Sequence, residues 1–254
     1  SVPAWLGGLP VNRAVYQLLS VGLAFLALGA GRALAIPACT AADIIAADPG
    51  CAAGPATCTI TRTYEIGEGC TLDFGSRAVT IAPTGKIDIG TSNVEILAGS
   101  LFIASRGQIT SSATQIGFVR IETLGDLTIE RLPGQGSIRA INLSANDIAG
   151  CIDIVVGGSL RLAGDIAADQ TGTFGRGGEI LIEAAVDVIM ETTATLSVEG
   201  SPIGSEGGSI GIIAGRDFIA KRETTLGATI DAGGAGTGSV DIEASRNVVV
   251  AGID

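Results

Sequence analysis

The sequence predicts an all-β chain wound as a parallel (right-handed) β-helix solenoid, about three strands per coil of roughly 30 residues, behind a disulfide-rich N-terminal cap. Three observations carry that expectation. A strand-turn-strand phrase recurs from residue 79 to the end of the chain. Within each copy the apolar residues alternate with a period of two. Long segments of period 3.6 are almost absent, which argues against leucine-rich and helical repeats, and the three-strand coil argues against propeller blades.

Residues 1–35 read as a signal peptide with its upstream residues. Leu18 to Ala30 is an apolar run preceded by Arg13, and Ala33-Leu34-Ala35 is a small-x-small pattern that predicts cleavage after Ala35. Arg32 interrupts the run before it reaches the ~20 residues of a membrane span, and nothing later could span as a helix, so no transmembrane helix is expected after cleavage. Ile36-Pro37-Ala38-Cys39 hints at a lipoprotein box, but Pro37 is out of character there and Cys39 lies far from the apolar core.

Residues 36–74 form the expected cap. Cys39, Cys51, Cys58 and Cys70 crowd into it, an even set suited to two disulfides in an oxidising compartment, with connectivity left open. No Cys-x-x-Cys and no histidine supports a zinc site. The fifth, Cys151, precedes an inward-facing Ile and reads as a buried free thiol.

Residues 75–254 form the coils. Copies of the phrase start at Val79, Val94, Val119, Ile152, Ile180, Ile210 and Val240, the last three 30 residues apart. The early spacing wanders, so the first coils either carry insertions or are offset by part of a coil. Corners fall at Gly125-Asp126, Gly158-Ser159, Val186-Asp187, Arg216-Asp217 and Arg246-Asn247, where Gly, Asp and Asn suit tight turns. A third strand follows in Ala194–Val198 and Ala228–Ala232, then a glycine-rich excursion. Stacking predicts one interior ladder of Ile96, Ile121, Ile154, Ile182, Ile212 and Ile242, and a second of Leu101, Leu127, Leu160, Val188, Phe218 and Val248. Each buried aliphatic contributes about 1.5–3 kcal/mol once a neighbouring coil covers it. The chain stops in mid-coil, which predicts a β-helix truncated at its C-terminus.

Composition narrows the function. The formal net charge is -11, so nucleic acid is excluded as an expected partner. Outward carboxylates are the only catalytic candidates. Glu122, Glu183 and Glu243 share one strand position, and Glu95, Arg120, Asp153 and Asp241 another, but Val155 and Ile213 interrupt the first row and spread its members two coils apart. Asp126, Asp187, Asp217 and Asn247 make a corner row better suited to turns than to metal. Beyond residue 35 there is no Trp or His and Tyr64 is the one tyrosine, which removes stacking platforms for sugar rings and the usual imidazole. No catalytic, cofactor-binding or metal site is expected, and no cofactor. Thr80, Thr128, Thr192 and Thr195 are too scattered for an ice- or mineral-binding face.

The phrase Gly207-Gly-Ser-Ile-Gly-Ile-Ile-Ala-Gly-Arg-Asp-Phe-Ile-Ala resembles the repeat regions of bacterial filamentous-haemagglutinin-like and autotransporter-like surface proteins, over roughly residues 75–254. That resemblance implies an adhesin-like stalk or passenger, exported to the extracellular space or outer-membrane surface. Host or matrix glycans, host proteins or other cell-surface components are the partners expected. The alternative is a polysaccharide-binding or polysaccharide-cleaving β-helix protein.

Overall fold

The alternation of apolar and polar residues becomes an alternation of inward and outward side chains, and parallel stacking of the strands does the rest. The structure is a computed structural model that describes residues 36–52, 54–113, 117–131, 136–142, 148–201, 203, 205–222 and 227–250. The expected leader and its cleavage site at Ala35 lie outside the described residues. Unit Ala35–Asp254 is nearly all β, and its parallel strands form a nearly closed sheet, as in a parallel β-helix.

Three ladders run along it. The first begins in the second half of β3 (Thr63–Asp73) and continues through β6 (Asn93–Ala98), β9 (Phe118–Thr123), β12 (Cys151–Val156), β15 (Glu179–Ala184), β18 (Ser209–Ala214) and β21 (Ser239–Ala244). The second is β2 (Thr57–Ile60), β4 (Ala78–Ile81), β7 (Ser100–Ile103), β10 (Leu127–Ile129), β13 (Leu160–Leu162), β16 (Val188–Met190), β19 (Asp217–Ala220) and β22 (Asn247–Val250). The third takes the first half of β3, then β5 (Lys86–Asp88), β8 (Gln108–Ala113), β11 (Ser137–Asn142), β14 (Asp165–Ala167), β17 (Thr195–Ser197) and β20 (Thr229–Asp231). The ladders already begin inside residues 36–74.

Both predicted interior rows form. Ile96, Ile121, Ile154, Ile182, Ile212 and Ile242 are successive register partners, as are Leu101, Leu127, Leu160, Val188, Phe218 and Val248. All are buried except Ile242 and Val248, which lie in the last described coil. The register Cys70–Val94–Val119–Ile152–Ile180–Ile210–Val240 gives coils of 24, 25, 33, 28, 30 and 30 residues. Lengths differ because the turns absorb residues while the strands keep register.

One copy of the phrase is placed differently from its neighbours. The copy at Val79 spans the second and third ladders, because Val79 pairs with Leu101, whereas the copies from Val94 onward span the first and second. That offset explains the irregular early spacing: a strand-turn-strand pattern of period two reads alike at any corner of the coil.

The N-terminal segment closes over the core beneath β3. β1 (Ile36–Thr40) pairs with β3 in parallel, Ile36 with Tyr64 and Thr40 with Thr71. Helix α1 (Ala41–Ala47) follows, buries Ala41 and Ile44, and starts in a capping box: Asp43 accepts from the backbone N–H of Thr40 at 2.9 Å, and Thr40 Oγ1 accepts from the Asp43 N–H. Asp43 also accepts from the Cys39 N–H at 3.1 Å, and Pro37 has none to offer, so Pro37, Cys39 and Thr40 present no open donor for a further strand. Disulfide Cys39–Cys70 ties β1 to β3, and Cys51–Cys58 ties the short α2 (Pro49–Ala52) to β2.

Candidate functional site

The outward face of the first ladder carries the carboxylates singled out in the sequence. Val155 pairs with both Glu122 and Glu183, and Ile213 with both Glu183 and Glu243, so consecutive glutamates stand two coils apart, about 9.6 Å. That separation is at the wide edge of what an inverting glycosidase pair uses. In the neighbouring row Arg120 reaches Glu95 and Glu122 at 3.5 Å each and Asp153 at 3.2 Å, drawing three carboxylates onto one guanidinium. Leu181 and Gly211 separate Asp153 from Asp241 in that row.

The corner row is built as staples between coils. Asp126 accepts from the Ser159 N–H of the next coil at 2.8 Å. Asp187 takes a two-pronged bond from Arg216, with Nε at 2.8 Å, and Asp217 takes the same from Arg246, with Nε at 2.9 Å. Asp217 also accepts from Asn247 Nδ2 at 2.8 Å. The Arg246 hydrogen bonds hold the Asp217 carboxyl down to about 2, and those of Arg216 lower that of Asp187. In a 30-residue coil a residue at i+29 lies beside residue i of the coil before, so this pairing was findable from Asp187/Arg216 and Asp217/Arg246 once the register was known.

A third group escaped sequence reading. Glu191, after β16, receives Arg161 from the preceding coil at 2.9 Å and Lys221 from the following one at 3.0 Å. Burial opposes its charge, but the two cations outweigh it and lower its pKa. A fourth lies in the N-terminal segment, where fully buried Asp48 accepts from the Thr61 N–H (2.8 Å), Thr61 Oγ1 (2.9 Å), the Gly50 N–H (3.1 Å) and the Tyr64 hydroxyl (3.3 Å). Here too burial works against the carboxylate and the hydrogen bonds win, leaving its pKa lowered. Burial, with Asp48 beside it, pushes the Tyr64 phenol up to about 12.

Cys151 corrects an expectation. It does not pack inside: it heads β12 on the outward side, half-exposed, with Sγ 3.6 Å from Glu179 Oε2. Partial burial and the Glu179 charge push its pKa up to about 11, so it stays a protonated thiol at neutral pH.

Two further features complete the surface. Burial, then the charges of Asp169 and Asp231, raise the pKa of Glu199. A groove of about 510 Å³ runs past Cys151, Arg176, Glu179, Ser209 and Ser239, floored by the glycine-rich excursions. Arg176 is paired with Glu206 at 3.1 Å. Among the described residues no group of three or more His, Cys, Asp or Glu side chains is arranged to hold a metal ion, and no helix is long and apolar enough to cross a membrane. The threonines do not line up: Thr59 and Thr80 are register partners, but Phe102 separates Thr80 from Thr128 and Arg161 follows.

No protein-family model, curated protein or solved structure matches this chain.

Proposed function

We propose that the chain is an exported, cell-surface protein of the filamentous-haemagglutinin-like or autotransporter-like kind, whose β-helix acts as a stiff stalk and adhesive surface without catalysis. One observation supports this reading above others: the carboxylates of Asp187, Asp217 and Glu191, and that of Asp153 beside Arg120, are tied to cations from adjacent coils. Asp187, Asp217 and Glu191, whose pKa values these cations lower, strengthen the stack but are poor proton donors at neutral pH. We take the winding as right-handed from the general handedness of parallel crossovers. The Cys-rich segment serves as the cap, and cleavage behind Ala35 releases the chain to an oxidising compartment in which both disulfides persist.

A second reading, a polysaccharide-binding or polysaccharide-cleaving protein, draws on the groove beside Arg176 and Glu179. Antibody labelling of intact bacteria expressing the full chain tests the first. Label on unpermeabilised cells is expected; label that needs permeabilised cells overturns it. Release of new reducing ends from polysaccharide by the secreted chain would move the assignment to the second.

A further inference from the structure

We infer that the outer face of the second ladder, over its last four strands, binds a linear acidic polysaccharide of the uronate-bearing class, laid along the stack across the strands. This rests on the adhesive reading and names its ligand.

The strands β13, β16 and β19 each turn an outward residue away from buried neighbours, and register aligns those residues with one from β22. The row is Arg161, Ile189, Ile219 and Val249. Neighbours in it are about 4.8 Å apart. Three aliphatic side chains in line make a narrow apolar stripe, with Ile189 and Ile219 half-buried.

Cations frame the stripe. Arg216 and Arg246 stand along the corner side, Lys221 along the other, and Arg161 closes one end, so four of the chain's 15 basic residues meet on one face of a strongly acidic molecule. Their carboxylate partners lie beneath them. Arg216, Arg246, Arg161 and Lys221 are 50%, 62%, 62% and 46% exposed, while Asp187, Asp217 and Glu191 are 10%, 9% and 18% exposed. A partner approaching from solvent therefore meets guanidinium and ammonium groups first.

The staples also fix the geometry of those groups. Each corner guanidinium donates through Nε and Nη2 to the aspartate below, and a guanidinium has five N–H donors, so N–H groups remain on the side away from that carboxylate. Two such forks on successive coils repeat at the strand spacing. Preorganised donors lose little side-chain entropy on binding.

An acidic glycan matches all three features. Its carboxylates meet the flanking cations, the C–H faces of its rings cover the aliphatic row, and its linear form follows a stripe one residue wide. A bilayer fits poorly, since one row of short aliphatic side chains without Trp or Phe offers little to insert. At physiological ionic strength the Debye length of ~8 Å confines the repulsion of distant carboxylates, so the outer layer of Arg161, Arg216, Lys221 and Arg246 over the recessed Asp187, Asp217 and Glu191 sets the local field.

The test is retention of the secreted chain on immobilised polygalacturonate and on uncharged dextran at physiological salt. Retention on polygalacturonate alone is expected. Ile219→Asp, and separately Ile189→Asp one strand earlier in the row, should each weaken it about tenfold by setting a like charge in the stripe. Circular dichroism and melting should stay at parental values in at least one of the two. Equal retention on both polymers, or unchanged binding in a folded variant, overturns the inference. So does sedimentation with phosphatidylglycerol vesicles in place of polygalacturonate retention. Because display on intact cells is scored without any glycan, a displayed chain that ignores polygalacturonate defeats this inference and leaves the adhesive reading standing.

Discussion

Tyr64 offers the cleanest residue-scale readout, because it is the one tyrosine beyond residue 35. Its phenol is pushed up to about 12 by burial and Asp48, so the phenolate band of the folded chain is expected to rise near pH 12 and not near 10. The neutral phenol is favoured by folding. Its contribution to stability is complete below pH 10 and is lost as pH rises through 12. Titration near 10 in the folded chain would contradict the buried Asp48–Tyr64 contact. Asp217 behaves in the opposite sense. Its folded pKa is lowered to about 2 by the hydrogen bonds from Arg246, so its contribution is present above the ordinary carboxylate range and disappears between about pH 4 and 2. Denaturant midpoints of the parent should therefore fall across that window, and those of Asp217→Asn should fall less. Asp48→Ala strands the buried Thr61 N–H and the Tyr64 hydroxyl and should cost about 1–3 kcal/mol in urea melts. The residue types of the corner were legible in the sequence, but their partners were not. Asp187 reads as a turn former from its neighbours alone, and Arg216 becomes its partner only through a register 29 positions away.

Strands and ladders are the scale at which the sequence spoke most clearly. Ile154, fully buried between Ile121 and Ile182, illustrates why: its inward direction follows from alternation along its own strand, and its neighbours follow from the repeat. Ile154→Ala should destabilise by about 2–5 kcal/mol, whereas Val155→Ala on the outward side should cost far less; equal losses in urea unfolding would contradict the assigned faces. The glycine-rich excursions carry a second test. A Cβ on Gly208 would fall against the carbonyl oxygen of Gly178, and one on Gly178 against that of Gly150, so these turns stack backbone on backbone. Gly208→Ala should lower the melting temperature where Gly211→Ala, whose nearest neighbour is the end of the Leu181 side chain, is tolerated. At Val79 the sequence left insertion and offset both open, and the phrase lies one corner later in the coil, because alternation repeats every two residues and carries no label for the ladder.

Over the whole molecule, each coil depends on its neighbours, and the end beneath β3 depends on the disulfides. Cys39–Cys70 spans 31 residues and Cys51–Cys58 spans 7. In the chain-entropy model the longer loop is worth about 3–4 kcal/mol. Reduction should raise amide exchange first in residues 36–74 and only later in the coils; simultaneous loss throughout would speak against a capping role. The repeat, the period of two, the paired apolar rows and the even set of cap cysteines were determined by the sequence alone, since each is a property of local order along the chain. Tertiary structure alone decided the disulfide pairing, the Glu191 cluster and the cation-framed stripe. Those features depend on which residue of one coil faces which residue of the next. Coils of 24 to 33 residues set that lateral register through their turns, and turn length leaves no periodic mark in the sequence.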